Sequence, residues 1–142
     1  MKKNILVLCT GNSCRSQIAH AYFEKYASAK ANIYSAGIET HGLNPNAVAT
    51  LKADGIDISH YTSNNVNEYI DVNFDLILTV CDNAKESCPV FPSSAKLVHH
   101  SFPDPAKFTG SAIEISQGFA VVREEIETFV LELLIKEGLA AY

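Results

Sequence analysis

The chain lacks most of what would send a protein to a membrane or a nucleic acid. No stretch of its 142 residues approaches the ~20 apolar residues of a membrane-spanning helix. No run of Lys or Arg exceeds two residues and the net charge is -5, so neither a phosphate backbone nor an anionic bilayer is an expected partner. There is no internal repeat, low-complexity tract or linker, and one domain over residues 1–142 is expected. No Cys-x2-Cys pair exists. His99 and His100 are adjacent, and neighbours on a strand point to opposite faces, so no tetrahedral metal set is expected and no cofactor is implied. Met1-Lys2-Lys3 opens like a secretory leader, but the apolar run after it is short and stops at Gly11-Asn12, which predicts a strand. Four Cys without a leader predict reduced thiols and a cytoplasmic location. Arginine is scarce, two against nine lysines, which makes the position of Arg15 informative.

What is present centres on Cys9-Thr10-Gly11-Asn12-Ser13-Cys14-Arg15-Ser16. The apolar run Ile5-Leu6-Val7-Leu8 leads in, and the helix-compatible Gln17 to Phe23 leads out. A strand, a tight polar loop and a helix together form the context in which backbone N–H groups converge on an anion. The guanidinium of Arg15 adds two parallel donors for a tetrahedral oxyanion. Cys9 is expected at the bottom of that cradle, where amide dipoles and Arg15 favour the nucleophilic thiolate. Gly11 and Asn12 tolerate the positive φ such a loop needs, and Ser13 and Ser16 can donate hydroxyls to the loop or the sulfur. Cys14 reads as a small side chain packing the start of the first helix.

The pattern predicts strands over Lys3–Cys9, Asn32–Gly37, Phe74–Val80 and Lys96–His100, the last more polar and at an edge. Helices are predicted from Arg15 to about Ala29, from the cap Asn44-Pro45 to Gly55, over Ser63–Tyr69, over Asp82–Ser87 and from Ile115 to Lys136, with Gly138 as the final cap. The alternation implies an α/β three-layer sandwich with a four-stranded parallel sheet flanked by helices. Ligands in such sheets lie beyond the carboxyl ends of the strands. Cys9, Cys81 and Asp104 all follow predicted strands and can share one cleft.

Cys81 and Cys88 bracket a short predicted helix that ends at Cys88-Pro89. Seven residues of α-helix span about 10 Å. A disulfide tolerates Cα separations only to about 7 Å, so bonding these two cysteines requires the helix to unwind. A redox switch, two small buried hydrophobes and a zinc site are the readings of this pair. In Phe102-Pro103-Asp104-Pro105 the prolines hold Asp104 in one extended conformation. Its carboxyl can protonate a leaving group at the loop, and the alternative is a solvated turn aspartate.

The Cys9–Ser16 stretch resembles the phosphate loop of low-molecular-weight tyrosine phosphatases and that of the thioredoxin-coupled arsenate reductases sharing their fold. Val80-Cys81-Asp82 with Cys88-Pro89, Tyr34 to Pro45 and Gly55 to Ser59 are similar to the reductases. The resemblance implies arsenate, or a phosphate-like oxyanion, as substrate, bound by Thr10, Gly11, Asn12, Ser13, Cys14, Arg15 and Ser16. It implies a relay in which Cys9 attacks arsenate, Cys81 attacks the adduct to leave a Cys9–Cys81 disulfide, and Cys88 passes a Cys81–Cys88 disulfide to thioredoxin. It implies Asp104 as the acid. Phosphatases of this fold follow Asp-Pro with tyrosines that help form a phenol slot. Ala106-Lys107-Phe108 stands here instead, favouring a small inorganic substrate. The alternative is a phosphomonoesterase using Cys9, Arg15 and Asp104 without Cys81 or Cys88. Cys14 also matches the spacing of a protective disulfide to Cys9 in the phosphatases. Some reductases of this type hold potassium with acidic side chains near the loop. The corresponding positions here are His20 and Asn64, and Asn12, Ser35 and Thr62 alone argue against a tight site.

Overall fold

A computed structural model describes residues 2–88, 91 and 94–141. The most apolar run of the N-terminal half, Lys3–Cys9, forms the central strand β1, with Ile5 to Cys9 buried in succession. Consecutive buried residues on a strand face opposite ways, so both faces of the sheet are covered. Strand β2 (Ala31–Gly37) pairs with one side of β1, and β3 (Leu76–Thr79) with the other. Strand β4 (Lys96–His99) closes the sheet in the order β2-β1-β3-β4, all parallel, with β4 at an edge as its polarity predicts.

Parallel neighbours need crossovers, and helices supply them. Helices α1 (Arg15–Ala27), α2 (Pro45–Ala53) and the short α3 (Asp82–Glu86) lie between successive strands, and α4 (Ala112–Glu137) follows the last strand. Asn44 caps α2 by accepting the N–H groups of Asn46 and Ala47, with Pro45 at the first helical position. Gly138, at φ 71°, closes α4 in the left-handed conformation. Helices α1, α2 and α4 pack on one another around Ile18, Tyr22, Leu51, Val122 and Ile126. A second aromatic cluster joins Tyr34, Tyr69, Phe74 and Phe91 at centroid spacings of 5.2–5.3 Å.

Several boundaries differ from expectation. Helix α1 stops at Ala27, two residues early. Only Val66–Tyr69 of the Ser63–Tyr69 segment is helical, and it is a 3-10 turn capped reciprocally by Asn65 and Glu68. Strand β3 spans four residues, because pairing lasts only from Leu76 to Thr79. Helix α4 starts a turn early, where Ser111 and Glu114 form a capping box ahead of the apolar stripe. Helix α3 ends at Glu86 with Ser87 as its cap, so Cys88 lies beyond the helix and the 10 Å figure for a continuous helix does not apply. Pro89, expected to end that segment, lies outside the described residues.

Candidate active site

The loop between β1 and α1 has its carbonyls turned outward. Those of Cys9, Thr10, Gly11 and Ser13 accept the N–H groups of Ile38, Glu39, His41 and Asn44, at 2.8–3.1 Å. That of Cys14 accepts Ile18 N–H inside α1, and that of Asn12 accepts Gln17 Nε2 at 2.9 Å. A trans peptide points its N–H opposite its C=O, so the amides from Thr10 onward form the inner face of the loop. That is the polarity an oxyanion requires.

Asn12 makes this turn possible. It is the one non-glycine residue with positive φ (47°) among those described, and it is fully buried. Its Nδ2 donates to Ser16 Oγ at 2.8 Å, and Ser16 Oγ lies 2.9 Å from Cys9 Sγ. Its Oδ1 accepts Asn64 N–H at 2.8 Å. Gly11 does not share the positive φ expected of it. A Cβ there would stand 2.3 Å from His41 Nδ1, so a side chain at position 11 requires the half-exposed His41 ring to move.

Cys9, Thr10, Gly11, Ser13, Cys14, Arg15 and Asp104 border one pocket of about 280 Å³, together with His41, Ala106 and Lys107. Arg15 Nη1 donates to Phe102 O at 3.2 Å and Nη2 lies 3.6 Å from Asp104 Oδ2, so the arginine ties the Asp104 loop to the anion loop. Burial, and then the charges of Asp104 and Cys9, push the Cys14 thiol up to about 12. Cys14 thus stays a protonated, buried thiol beside the pocket, and no disulfide joins it to Cys9.

Cys81 caps α3 and is buried, with Sγ 3.3 Å from Thr10 Oγ1. Asn83 Nδ2 donates to the same hydroxyl at 3.3 Å, which leaves the hydroxyl proton available to the Cys81 sulfur. Cys88 is half-buried, away from the pocket lining, and burial raises its pKa. A clamp fixes α3 to the sheet edge, with His99 Nε2 3.0 Å from Asp82 Oδ1 and His99 Nδ1 2.8 Å from Thr79 Oγ1. Its neighbour His100 packs instead against Phe102 and Phe129, as alternation along a strand requires.

Lys107 borders the pocket, in the segment that stands where the phosphatases carry their phenol-slot tyrosines, whereas His41 and Asn83 join the site without a signal in the sequence. His41 stood inside the segment similar to the reductases, and nothing in its spacing marked it. Potassium does not fit the residues behind the loop. Asn12 Oδ1 and Asn64 Oδ1 already accept protein donors, and His20 presents Nδ1 to Ser35 Oγ at 2.7 Å where a carboxylate would be needed.

Residues 4–141 match the family described as low molecular weight phosphotyrosine protein phosphatase. The chain is 49% identical over 125 residues to the arsenate reductase of Bacillus licheniformis, covering 88% of this chain and 90% of that one. It is 48% identical over 124 residues to that of Bacillus subtilis, covering 87% and 89%. Among solved structures it is similar to an arsenate reductase in the phosphate-binding state, with a TM-score of 0.74 at 27% identity over 94% of this chain and 98% of that one. With the family model matched over residues 4–141, the chain belongs to the low molecular weight phosphotyrosine protein phosphatase family.

Proposed function

We propose that the chain reduces arsenate to arsenite and passes the resulting disulfide to thioredoxin. The observation that carries this reading is the Cys81 thiol, 3.3 Å from the hydroxyl of the residue next to Cys9. Phosphate ester hydrolysis in this pocket has no use for a second thiol there. The relatives named arsenate reductase support the same reading.

The Cys9 thiolate attacks arsenic while the loop amides and Arg15 hold the oxyanion. An As–O bond breaks, and a proton from Asp104 lets the oxygen leave as water. The Cys81 thiolate then attacks Cys9 Sγ. The new S–S bond forms as the S–As bond breaks, and the electron pair stays on arsenic, which departs as arsenite. The Cys88 thiolate attacks Cys81 Sγ and frees Cys9. The dithiol of thioredoxin reduces the Cys81–Cys88 disulfide. This scheme belongs in the cytoplasm, where thioredoxin keeps thiols reduced.

Arsenate-dependent oxidation of reduced thioredoxin by the pure protein tests the whole scheme. Cys88→Ser is expected to release one arsenite per chain and then stall with a Cys9–Cys81 disulfide. Cys81→Ser is expected to release none. Repeated turnover by Cys88→Ser, or arsenite release by Cys81→Ser, would remove the relay. The second reading, a phosphomonoesterase, uses Cys9, Arg15 and Asp104 alone, and the family match favours it. Ala106 and Lys107 in the pocket wall, in place of aromatic rings, weigh against a phenolic substrate.

A further inference from the structure

The loop carrying Asp104 hangs between two aromatic side chains, both seated on α4. At its start, Phe102 is buried and packs edge-on against Phe129 of α4, with centroids 5.7 Å apart. At its end, Phe108 lies in a notch at Gly118. A Cβ on residue 118 would stand 2.5 Å from Phe108 Cδ2 and 2.8 Å from Cε2. Gly118 sits well inside the 26-residue α4, where alanine is favoured over glycine. The helix itself does not ask for glycine, but the phenyl ring does.

Between these two seats the loop is stiff. Pro103 and Pro105 fix φ on either side of Asp104. Lys107 N–H donates to Asp104 O at 3.2 Å, and Phe108 N–H to Pro105 O at 3.1 Å. Ala106 N–H donates to Asp104 Oδ1 at 3.1 Å. The carboxylate is thus bonded to the same 3-10 turn that ends in Phe108, so a shift of Phe108 that reaches the turn's backbone reaches the carboxylate.

We propose that Gly118 is a positioning residue for Asp104. The notch seats Phe108, and the seat sets how far the carboxylate stands from the reacting centre over Cys9. The inference rests on the reading of Asp104 as proton donor. Seating Phe108 on α4 also leaves Ala106 and Lys107 as the residues of this turn that face the pocket.

A methyl group at 118 drives the ring from 2.5 Å to at least the 3.4 Å of ordinary contact. A displacement of that order, ~1 Å, at a catalytic group lowers the rate on the order of a hundredfold. The test is single-turnover arsenite release by the full, reduced chain, measured across arsenate concentration and pH. Gly118→Ala is expected to lower the saturating rate about ten- to a hundredfold. The half-saturating arsenate concentration should barely move, and the pH dependence should flatten, as is expected of Asp104→Asn. Adding Phe108→Leu to Gly118→Ala shortens the side chain and is expected to recover most of the loss. Phe108→Ala, which empties the notch without adding a methyl, is expected to flatten the pH profile and covers the case in which Gly118→Ala fails to fold. A wild-type rate and profile in Gly118→Ala or in Phe108→Ala, or no rescue by Phe108→Leu, overturns the inference. If Asp104→Asn itself behaves as wild type, the proton-donor reading falls and takes the inference with it. An impaired Asp104→Asn beside a normal Gly118→Ala removes the seat alone. If hydrolysis rather than reduction is the chemistry, the same variants are compared on phenyl phosphate, which draws on the same acid.

Discussion

Asn12 carries two separable loads, and substitution can weigh each. The first is its backbone, held at φ 47°. The left-handed region costs an L-residue with a Cβ about 1–2 kcal/mol, less for Asn, which bonds locally, and nothing for Gly. The second is its side chain, which donates to Ser16 Oγ and accepts Asn64 N–H, both at 2.8 Å. Truncation leaves the part-buried Asn64 N–H without its acceptor, at about 1–3 kcal/mol. Asn12→Ala therefore combines strain with an orphaned donor and is expected to cost about 2–4 kcal/mol. Asn12→Gly relieves the strain and keeps the orphan, so it should be the more stable of the two by about 1 kcal/mol. Urea unfolding of both variants and the wild type, with equal m-values, gives the differences. The same side chain also orients Ser16 toward Cys9 Sγ, so both variants should alkylate Cys9 at an altered rate with iodoacetamide. Equal stability of the Ala and Gly variants would refute the strain argument. Stabilities within ~0.5 kcal/mol of wild type, the range for ordinary surface changes, would refute the hydrogen-bond argument.

Two further predictions concern neighbours of the same pocket. Arg15→Lys keeps the charge but cannot reach Phe102 O and Asp104 together while presenting a planar fork to the anion, so activity should fall about a hundredfold or more, read as kcat/KM against arsenate. Near-normal kinetics would mean the fork is not used. Cys14 ionises near 9 when unfolded and holds its proton to about 12 when folded, so it binds one more proton in the native state between those values. Stability should therefore be intact below pH 9 and decline from pH 9 toward 12, and Cys14→Ala should decline less steeply over that window in urea midpoints.

The parts of the fold legible in the sequence are those written as unbroken local pattern. Ile5 to Leu8, a short apolar run that stops at Gly11-Asn12, reads as a strand, and β1 spans the expected Lys3–Cys9. The start of α4 lies ahead of the apolar stripe that marks the rest of the helix. The first turn, Ala112 to Glu114, is exposed and carries no stripe, yet Ser111 and Glu114 had the spacing of a capping box. The Cys-to-Arg loop was visible because its residues are contiguous. His41 was not, since it reaches the pocket from another segment of the chain and only tertiary contact sets its ring against Gly11.

The closeness of Cys81 to the loop follows from topology. Strands β1 and β3 are parallel neighbours with Leu8 opposite Thr79, so their carboxyl ends stop at the same edge. Cys9 is one residue past that pair and Cys81 two residues past it, on chains about 4.8 Å apart. An antiparallel β3 would have delivered Cys81 to the opposite end of the sheet. The segment after Cys81 is held much less firmly. Helix α3 has five residues, too few to persist unaided, and only Ala84 among them is buried. Among the described residues it is held by that side chain, the Thr10–Asn83 bond and the His99–Asp82 contact to an exposed carboxylate. Its unwinding would expose little apolar surface of its own, while Cys81 at its head directly follows β3 and the buried Val80. A strand end followed by a short, mostly exposed turn of helix would let one thiol remain at the anion loop while the other approaches it, as the proposed exchange between Cys81 and Cys88 requires.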